Sequence, residues 1–153
     1  MLVLDVDGVL TDTRLFYVPN WGWTRLYSVR DGIGIRALLK AGFKVAIITA
    51  GQSQDVVERV KLLGIPHAYY GNEDKIVEFE KLLAATGLRD DQVAYVGDDK
   101  PDMPILKRVG FAATVPDAIP QVKKLAHYVT AVRGGDGATR EVADAILELG
   151  NPN

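Results

Sequence analysis

The sequence predicts an α/β domain built on a doubly wound, mostly parallel sheet. Short apolar runs alternate along the chain with amphipathic stretches of helical length. Glycines follow several of these stretches, where helices commonly end in a left-handed residue. Such alternation is typical of a parallel sheet covered by helices on both faces. The predicted strands are residues 2–6, 44–48, 67–70, 93–96, 112–115 and 128–131.

Three helices are indicated by apolar residues that recur three and four positions apart, the spacing of one helix face. These residues are Val56, Val57, Val60 and Leu63, then Ile76, Phe79, Leu82 and Leu83, and then Val142, Ala143, Ile146 and Leu147.

One segment interrupts the alternation and predicts a β-hairpin over about residues 14–29. Residues 14–17 and 23–29 are β-prone, and the turn-forming stretch 19–22 separates them. Both tryptophans of the chain lie here, which is a large apolar load for a projecting hairpin and indicates a partner surface. Because no insertion is long enough for a second domain, we expect one domain over residues 1–153.

Composition excludes several classes of function. The net charge is −2, whereas a nucleic-acid binder usually has a basic excess. No apolar run approaches the roughly 18 residues of a membrane span. Without cysteine, a metal must be bound by oxygen or by His67 and His127. We therefore expect a cytoplasmic enzyme that binds neither nucleic acid nor a membrane.

Polar residues follow the predicted strands at the edge where open α/β sheets bind ligands. Asp5 and Asp7 follow the first strand, and Thr49 ends the second. Lys75 begins the helix after the third strand, and the acidic segment 97–102 follows the fourth.

This set of side chains suits phosphoryl transfer from a phosphate ester. A carboxylate can attack phosphorus and form a covalent intermediate. Further carboxylates can hold magnesium, which prefers oxygen ligands and neutralises phosphate charge. A hydroxyl and an ammonium can bind the phosphate oxygens as charge builds there. An Asp two residues after the nucleophile can protonate the leaving oxygen and then activate water.

Each of these features has a simpler explanation when it occurs alone. An Asp-x-Asp after a strand is commonly a solvated loop, and Gly-Asp-Asp is commonly a turn. Thr49 alone would be a helix cap, and Lys75 alone a solvated charge. Their joint occurrence at strand ends, in this order, favours the phosphatase.

The four motifs resemble those of the haloacid dehalogenase superfamily of phosphohydrolases over nearly the whole chain. Residues 5–11 resemble the first motif, Thr49 the second, Lys75 the third and residues 97–102 the fourth. The resemblance implies a Mg²⁺ ion held by a carboxylate oxygen of Asp5, the backbone carbonyl of Asp7 and a carboxylate oxygen of Asp98.

The same resemblance implies the remaining roles. Asp5 would be the nucleophile and Asp7 the general acid and base. Asp102 would hold a water of the metal ion, and Asp99 would support that arrangement. Thr49 and Lys75 would bind the phosphate.

A narrower resemblance is to capless members that act on sugar-acid phosphates, the 3-deoxy-D-manno-octulosonate 8-phosphate phosphatases and their relatives. It is carried by residues 28–36 and by the glycine-rich segment 134–141. It implies a homotetramer whose hairpins form a barrel, with neighbouring subunits closing the sites. It also implies that the sugar phosphate contacts Ser28, Val29, Arg30, Asp31, Gly32, Arg36, Arg59 and Lys75.

Two positions depart from the pattern of that subfamily. Gly51 stands where the octulosonate phosphatases carry an arginine, which would pair with the sugar carboxylate. Octulosonate 8-phosphate and the nonulosonate 9-phosphates therefore both remain candidate substrates. Thr13 stands where glycine is more usual, which we expect to affect only the turn into the hairpin.

Two alternative functions disagree with particular residues of this chain. A signalling receiver domain places its accepting Asp after the third strand, where this chain has Tyr70, Gly71 and Asn72. A non-catalytic oligomerisation domain of the same fold would have lost the nucleophile or the metal-binding Asp, and this chain retains Asp5 and Asp98.

Overall fold

The computed structural model describes residues 1–150 and contains a six-stranded parallel sheet. Its strands, in sequence order, are β1 (Leu2–Leu4), β4 (Val45–Ile48), β5 (His67–Tyr69), β6 (Ala94–Val96), β7 (Phe111–Thr114) and β8 (Tyr128–Val129). The order across the sheet is β5-β4-β1-β6-β7-β8. The predicted fold class is therefore confirmed, with five strands a little shorter than predicted and β7 shifted by one residue.

Six helices cover the sheet. They are α1 (Val29–Lys40), α2 (Gln54–Leu63), α3 (Lys75–Thr86), α4 (Met103–Leu106), α5 (Pro120–Leu125) and α6 (Ala138–Gly150). The three helices predicted from periodicity correspond to α2, α3 and α6. The prediction of one domain over residues 1–153 also includes 151–153, which lie outside the described residues.

Two apolar cores lie on opposite faces of the sheet because successive side chains of a strand point to opposite sides. On one face Leu2 and Leu4 of β1 pack with Ile35 of α1 and with residues of α2 and α6. On the other face Val3 packs with Phe79 of α3 and with residues of α4 and α5. This arrangement buries β1 completely and places its carboxyl end at the centre of the sheet.

The predicted hairpin is present as β2 (Phe16–Val18) paired antiparallel with β3 (Gly22–Thr24). Tyr17 and Trp23 pair across it, edge to face, with ring centroids 5.5 Å apart. The predicted second strand, 23–29, is too long. Val29 instead begins α1, since its β propensity is overridden by the packing of that helix against α6.

Within residues 1–150, no helix combines the length and the apolar character that crossing a membrane requires.

Candidate active site

Three carboxylates meet at the carboxyl ends of β1 and β6. The two strands are neighbours, with Leu4 opposite Val96, and the backbone N–H of Asp5 donates to the Val96 carbonyl at 3.0 Å. Asp5 follows β1 directly, and Asp98 follows β6 by two residues. Oxygens of Asp5, Asp98 and Asp102 lie within 4.8 Å of one another.

Asp102 connects the parts of this cluster through hydrogen bonds to its buried carboxylate. It is fully buried, and both of its carboxylate oxygens accept hydrogen bonds. One oxygen accepts from Lys75 Nζ at 2.7 Å and from the Tyr95 hydroxyl at 2.6 Å. The other accepts from the backbone N–H groups of Asp98 at 3.0 Å and Asp99 at 3.2 Å. Because these donors occupy its lone pairs, Asp102 suits a supporting position better than a direct metal contact.

Lys75, the first residue of α3, places a buried ammonium between two carboxylates. Its Nζ lies 2.8 Å from Asp5 Oδ1 and 2.7 Å from Asp102 Oδ1. Burial alone would lower the pKa of Lys75, but the charges of Asp5 and Asp102 outweigh it and raise that pKa. The lysine is therefore a fixed positive charge beside Asp5.

One ammonium does not balance the negative charge of this cluster. Burial, reinforced by Asp102, raises the pKa of Asp5 well above its ordinary value. The same causes, in the same order, raise the pKa of Asp98 to about 7. Raised values mean that the ionised carboxylates lack compensating charge. Because the donors are all oxygens and a positive charge is wanted, Asp5 and Asp98 fit a magnesium ion.

Gly8 allows Asp98 to approach the loop after β1. A Cβ atom at Gly8 would lie 1.9 Å from Asp98 Oδ2, and the residue has a φ of +87°. Both the space and the left-handed backbone therefore require glycine at this position. Gly134 in turn packs on Gly8, since a Cβ there would lie 1.9 Å from the Gly8 carbonyl oxygen. The glycine-rich segment 134–141 thus braces the loop that carries Asp5.

The carboxylates open into a cavity of about 290 Å³. Thr49 lies on its wall, is only 2% exposed, and accepts a hydrogen bond from the Gly51 N–H at 3.1 Å. The side chain of Asp99 accepts from the Lys100 N–H at 2.7 Å and so caps the short helical turn that follows. The cavity brings together seven predicted site residues, namely Asp5, Asp7, Thr49, Lys75, Asp98, Asp99 and Asp102.

Thr13 departs from expectation, because it affects more than the turn. Its φ of +72° lies in the left-handed region, where a β-branched residue is strained, which explains why glycine is more usual there. Its side chain also lines the cavity. Thr13 therefore contributes to the shape of the site.

Asp7 faces a cation that sequence reasoning missed. Arg25 Nε lies 2.6 Å from Asp7 Oδ1, and Arg25 Nη2 lies 3.1 Å from Asp7 Oδ2. No sequence pattern indicates this contact, because Arg25 comes from the segment after the hairpin. Tyr95 was missed as well. Its position inside an apolar strand predicts burial, but the hydrogen bond to Asp102 depends on the folded loop.

Apart from Lys75, the residues predicted to bind the sugar lie outside this cavity. Within residues 1–150, the cavity lining includes neither the segment 28–32 nor Arg36 and Arg59. Arg59 donates to the Ser28 carbonyl at 2.8 Å, and Arg36 donates to the Leu62 carbonyl at 2.9 Å. Of the predicted sugar contacts, only Lys75 lies at the cavity of its own chain.

Asp31 has a structural partner. It is 1% exposed, and its Oδ1 accepts from the Arg140 N–H at 2.8 Å, so it caps the first turn of α6. Burial raises the pKa of Asp31 to about 6. Its carboxylate therefore joins α1 to the helix that follows the glycine-rich segment.

Replacing Asp31 with Asn should change the pH dependence of stability. A carboxyl group whose pKa is raised on folding contributes stability that is present below its unfolded value and is lost as the pH rises through the folded value. With 3.8 as the ordinary value and about 6 in the fold, we expect the wild type to gain about 2 kcal/mol relative to Asp31→Asn between pH 7.5 and 4.5. Urea unfolding of both proteins at the two pH values measures this, and a constant difference would contradict it.

Known proteins match this chain in sequence and in structure. A family model described as haloacid dehalogenase-like hydrolase matches residues 69–142. The 3-deoxy-D-manno-octulosonate 8-phosphate phosphatase of Yersinia pestis is 45% identical over 148 residues, which cover 96% of this chain and 79% of that protein. Its crystal structure superposes with a TM-score of 0.93, covering 96% of this chain and 80% of the solved one at 43% identity.

A second solved structure carries ligands. The 3-deoxy-D-manno-octulosonate 8-phosphate phosphatase of Moraxella catarrhalis, in complex with magnesium, phosphate and a KDO molecule, superposes with a TM-score of 0.92 at 37% identity. The match covers 96% of this chain and 84% of that one. The sequence resemblance is therefore confirmed, and the chain belongs to the 3-deoxy-D-manno-octulosonate 8-phosphate phosphatase family of haloacid dehalogenase-like hydrolases.

Proposed function

We propose that this chain is a magnesium-dependent phosphatase that hydrolyses a sugar-acid phosphate monoester through an aspartyl-phosphate on Asp5. The observation that carries the proposal is the meeting of Asp5, Asp98 and Lys75 at the ends of β1 and β6. A non-catalytic oligomerisation domain would have no use for a buried carboxylate cluster with raised pKa values.

In the first half of the reaction, an oxygen of Asp5 attacks phosphorus while the bond from phosphorus to the sugar oxygen breaks. Asp7 gives its proton to that leaving oxygen. Lys75 and Thr49 donate to the phosphate oxygens as charge builds on them. Asp5, the carbonyl of Asp7 and Asp98 would hold a magnesium ion, which would supply positive charge to the phosphate.

In the second half, Asp7 acts as the base. It takes a proton from water as the water oxygen attacks phosphorus, and the bond from phosphorus to Asp5 breaks. Inorganic phosphate leaves, Asp5 is restored as a carboxylate, and Asp7 is protonated for the next cycle. Asp102 keeps Lys75 and the loop carrying Asp98 in place throughout.

The first candidate substrate is 3-deoxy-D-manno-octulosonate 8-phosphate, the substrate named for the relatives. Gly51 is the observation that keeps a nonulosonate 9-phosphate as the second candidate. If an arginine at this position pairs with the sugar carboxylate, its absence removes a charge-assisted contact worth about 1.5–3 kcal/mol. This corresponds to a roughly ten- to hundredfold lower kcat/KM on the octulosonate.

A phosphate-release assay on a panel of sugar-acid phosphates tests the substrate, with Gly51→Arg as the matched variant. We expect the wild type to show either modest kcat/KM on octulosonate 8-phosphate or a preference for another sugar, and the variant to regain activity on the octulosonate. If the wild type exceeds about 10⁵ M⁻¹s⁻¹ on the octulosonate and the added arginine changes nothing, this interpretation of position 51 is wrong.

The assembly is proposed to be a homotetramer formed through the hairpin. Tyr17 is 61% exposed, Trp21 45% and Trp23 57%, so one chain leaves a large aromatic surface uncovered. A neighbouring subunit would also bring the segment 28–32, Arg36 and Arg59 towards the cavity that they do not reach in their own chain. A cytoplasmic location remains a prediction.

Replacing Trp21 and Trp23 together with Ser should break the assembly into monomers, because it removes much of the exposed apolar area. Light scattering at micromolar concentration measures the mass of both proteins. Leu149→Ser is a suitable control, since Leu149 is 83% exposed but lies far from the hairpin in the chain. A monomeric wild type would refute the proposed assembly.

A further inference from the structure

Arg25 is a buried cation that lies between the proposed general acid and a second carboxylate. Its side chain is 6% exposed, and its Nε and Nη2 contact the two oxygens of Asp7. Its third nitrogen, Nη1, donates to both oxygens of Asp55 at 3.2 and 3.3 Å and to Ser53 Oγ at 2.7 Å. The guanidinium therefore connects the loop after β1 to the first turn of α2.

The far side of this contact is itself fixed. Asp55 is 7% exposed and also accepts from the Tyr27 hydroxyl at 3.1 Å and from the Ser53 hydroxyl at 2.6 Å. Burial alone would lower the pKa of Arg25, but the hydrogen bond and charge of Asp7 and the charge of Asp55 raise it. Arg25 is thus a rigid, permanent positive charge.

Asp7, in contrast, has little else to hold it. Its side chain is 40% exposed, so without Arg25 it would be free to change rotamer. A two-pronged contact from a guanidinium fixes the plane of a carboxylate as well as its place. Burying such a pair seldom adds stability over apolar residues of the same volume, so stability alone does not explain it.

Gly51 leaves room for this contact. A Cβ atom at position 51 would lie 3.1 Å from Arg25 Nη2 and 3.6 Å from Asp7 Oδ2. A Cβ here would therefore require the Arg25 guanidinium to shift by a few tenths of an ångström, whereas its distance to Asp7 is an ordinary contact.

We infer that Arg25 is a positioning residue for Asp7, which orients its carboxylate for proton transfer to and from the substrate oxygens. This inference rests on the proposed phosphatase function.

The leaving group distinguishes positioning from a general structural role. A sugar alkoxide leaves only when it is protonated, whereas p-nitrophenolate leaves readily without a proton. Loss of Asp7 orientation should therefore lower kcat/KM, which reports the steps up to transfer of phosphate to Asp5, far more for octulosonate 8-phosphate than for p-nitrophenyl phosphate. A loosened fold or a weakened metal site would lower kcat/KM for both substrates alike.

The variants are chosen to avoid leaving a buried charge alone. Arg25→Gln by itself would leave the buried Asp55 carboxylate without a cation, so it is combined with Asp55→Asn. Asp55→Asn alone is the matched control. Arg25→Lys keeps the charge but loses the two-pronged geometry, and it supplies the same comparison if the double variant does not fold. Arg108→Gln, which breaks an arginine pair with Asp90 elsewhere, controls for loss of an ion pair in general.

The double variant should lower kcat/KM on octulosonate 8-phosphate by about 10–100-fold, part of the 10²–10⁴-fold that general acid catalysis supplies. Its kcat/KM on p-nitrophenyl phosphate should change less than about threefold, whereas its kcat should fall on both substrates, because Asp7 also activates water in the second half of the reaction. The kcat/KM of Arg25→Lys on octulosonate 8-phosphate should lie between those of the wild type and the double variant. Neither control variant should change the ratio of the kcat/KM values for the two substrates. When Asp7 is already replaced by Asn, replacing Arg25 as well should lower kcat/KM on octulosonate 8-phosphate by less than about a further twofold. The reason is that substitutions of residues that act as a unit do not have additive effects.

Equal losses of kcat/KM on both substrates, or no loss on either, would overturn the inference while leaving the proposed phosphatase intact. A wild-type protein that is inactive on both substrates with magnesium present would overturn the proposed function and the inference with it.

Discussion

Asp5→Asn should lower kcat by more than about a thousandfold, equivalent to about 4 kcal/mol of activation barrier. The amide has the size and shape of the carboxylate but cannot attack phosphorus, and it loses the charge beside Lys75. Phosphate release at saturating substrate and magnesium measures the effect. Asp12→Asn, in the same loop but outside the carboxylate cavity, should retain activity close to the wild type.

The fold of the Asp5→Asn protein should be intact, because it no longer buries a carboxylate whose ionisation is disfavoured. Circular dichroism and thermal unfolding check this. A folded variant that keeps more than about a tenth of the wild-type kcat, a difference of only about 1.4 kcal/mol, would refute the assignment of Asp5 as nucleophile.

Lys75→Met should reduce both activity and stability. It removes the ammonium beside Asp5, and losing one donor to a charged transition state typically reduces kcat by about 10²–10³-fold. It also leaves the fully buried Asp102 without a cation. Breaking a buried pair in this way typically costs about 3–5 kcal/mol of unfolding free energy.

Urea unfolding and steady-state kinetics of the same preparation measure the two effects of Lys75→Met. Lys81→Met is the control, since Lys81 lies on the same helix but is 58% exposed and pairs with Glu78, outside the carboxylate cluster. An unfolding free energy within about 0.5 kcal/mol of the wild type, the range of ordinary surface changes, would show that Lys75 does not hold Asp102.

The fold and the centre of the site were predictable because both depend on strand ends. Leu2–Leu4 and Ala94–Val96 are apolar runs that must be buried, and the polar residues following them must meet at one edge of a parallel sheet. Asp5 and Asp98 therefore come together for reasons that are visible in the sequence.

The remainder of the site depends on contacts between segments that no spacing relates. Arg25 reaches Asp7 and Asp55 across 18 and 30 residues, and Asp31 caps a helix 109 residues away. These contacts arise from the path of the hairpin and from the packing of α1 on α6. The residues predicted to bind the sugar are a further example, since Arg59 donates to the Ser28 carbonyl and neither residue lines the cavity of its own chain.

The most direct test of the central claim is chemical trapping of the phosphorylated aspartate. Sodium borohydride reduces an aspartyl-phosphate to homoserine, which mass spectrometry of the peptide containing residues 5 and 7 detects. The Asp7→Asn protein with magnesium and p-nitrophenyl phosphate should accumulate the intermediate, because loading does not require Asp7 and hydrolysis does. We predict homoserine at position 5 and its absence when magnesium or substrate is omitted. Steady phosphate release without any homoserine, or homoserine at a position other than 5, would contradict the account.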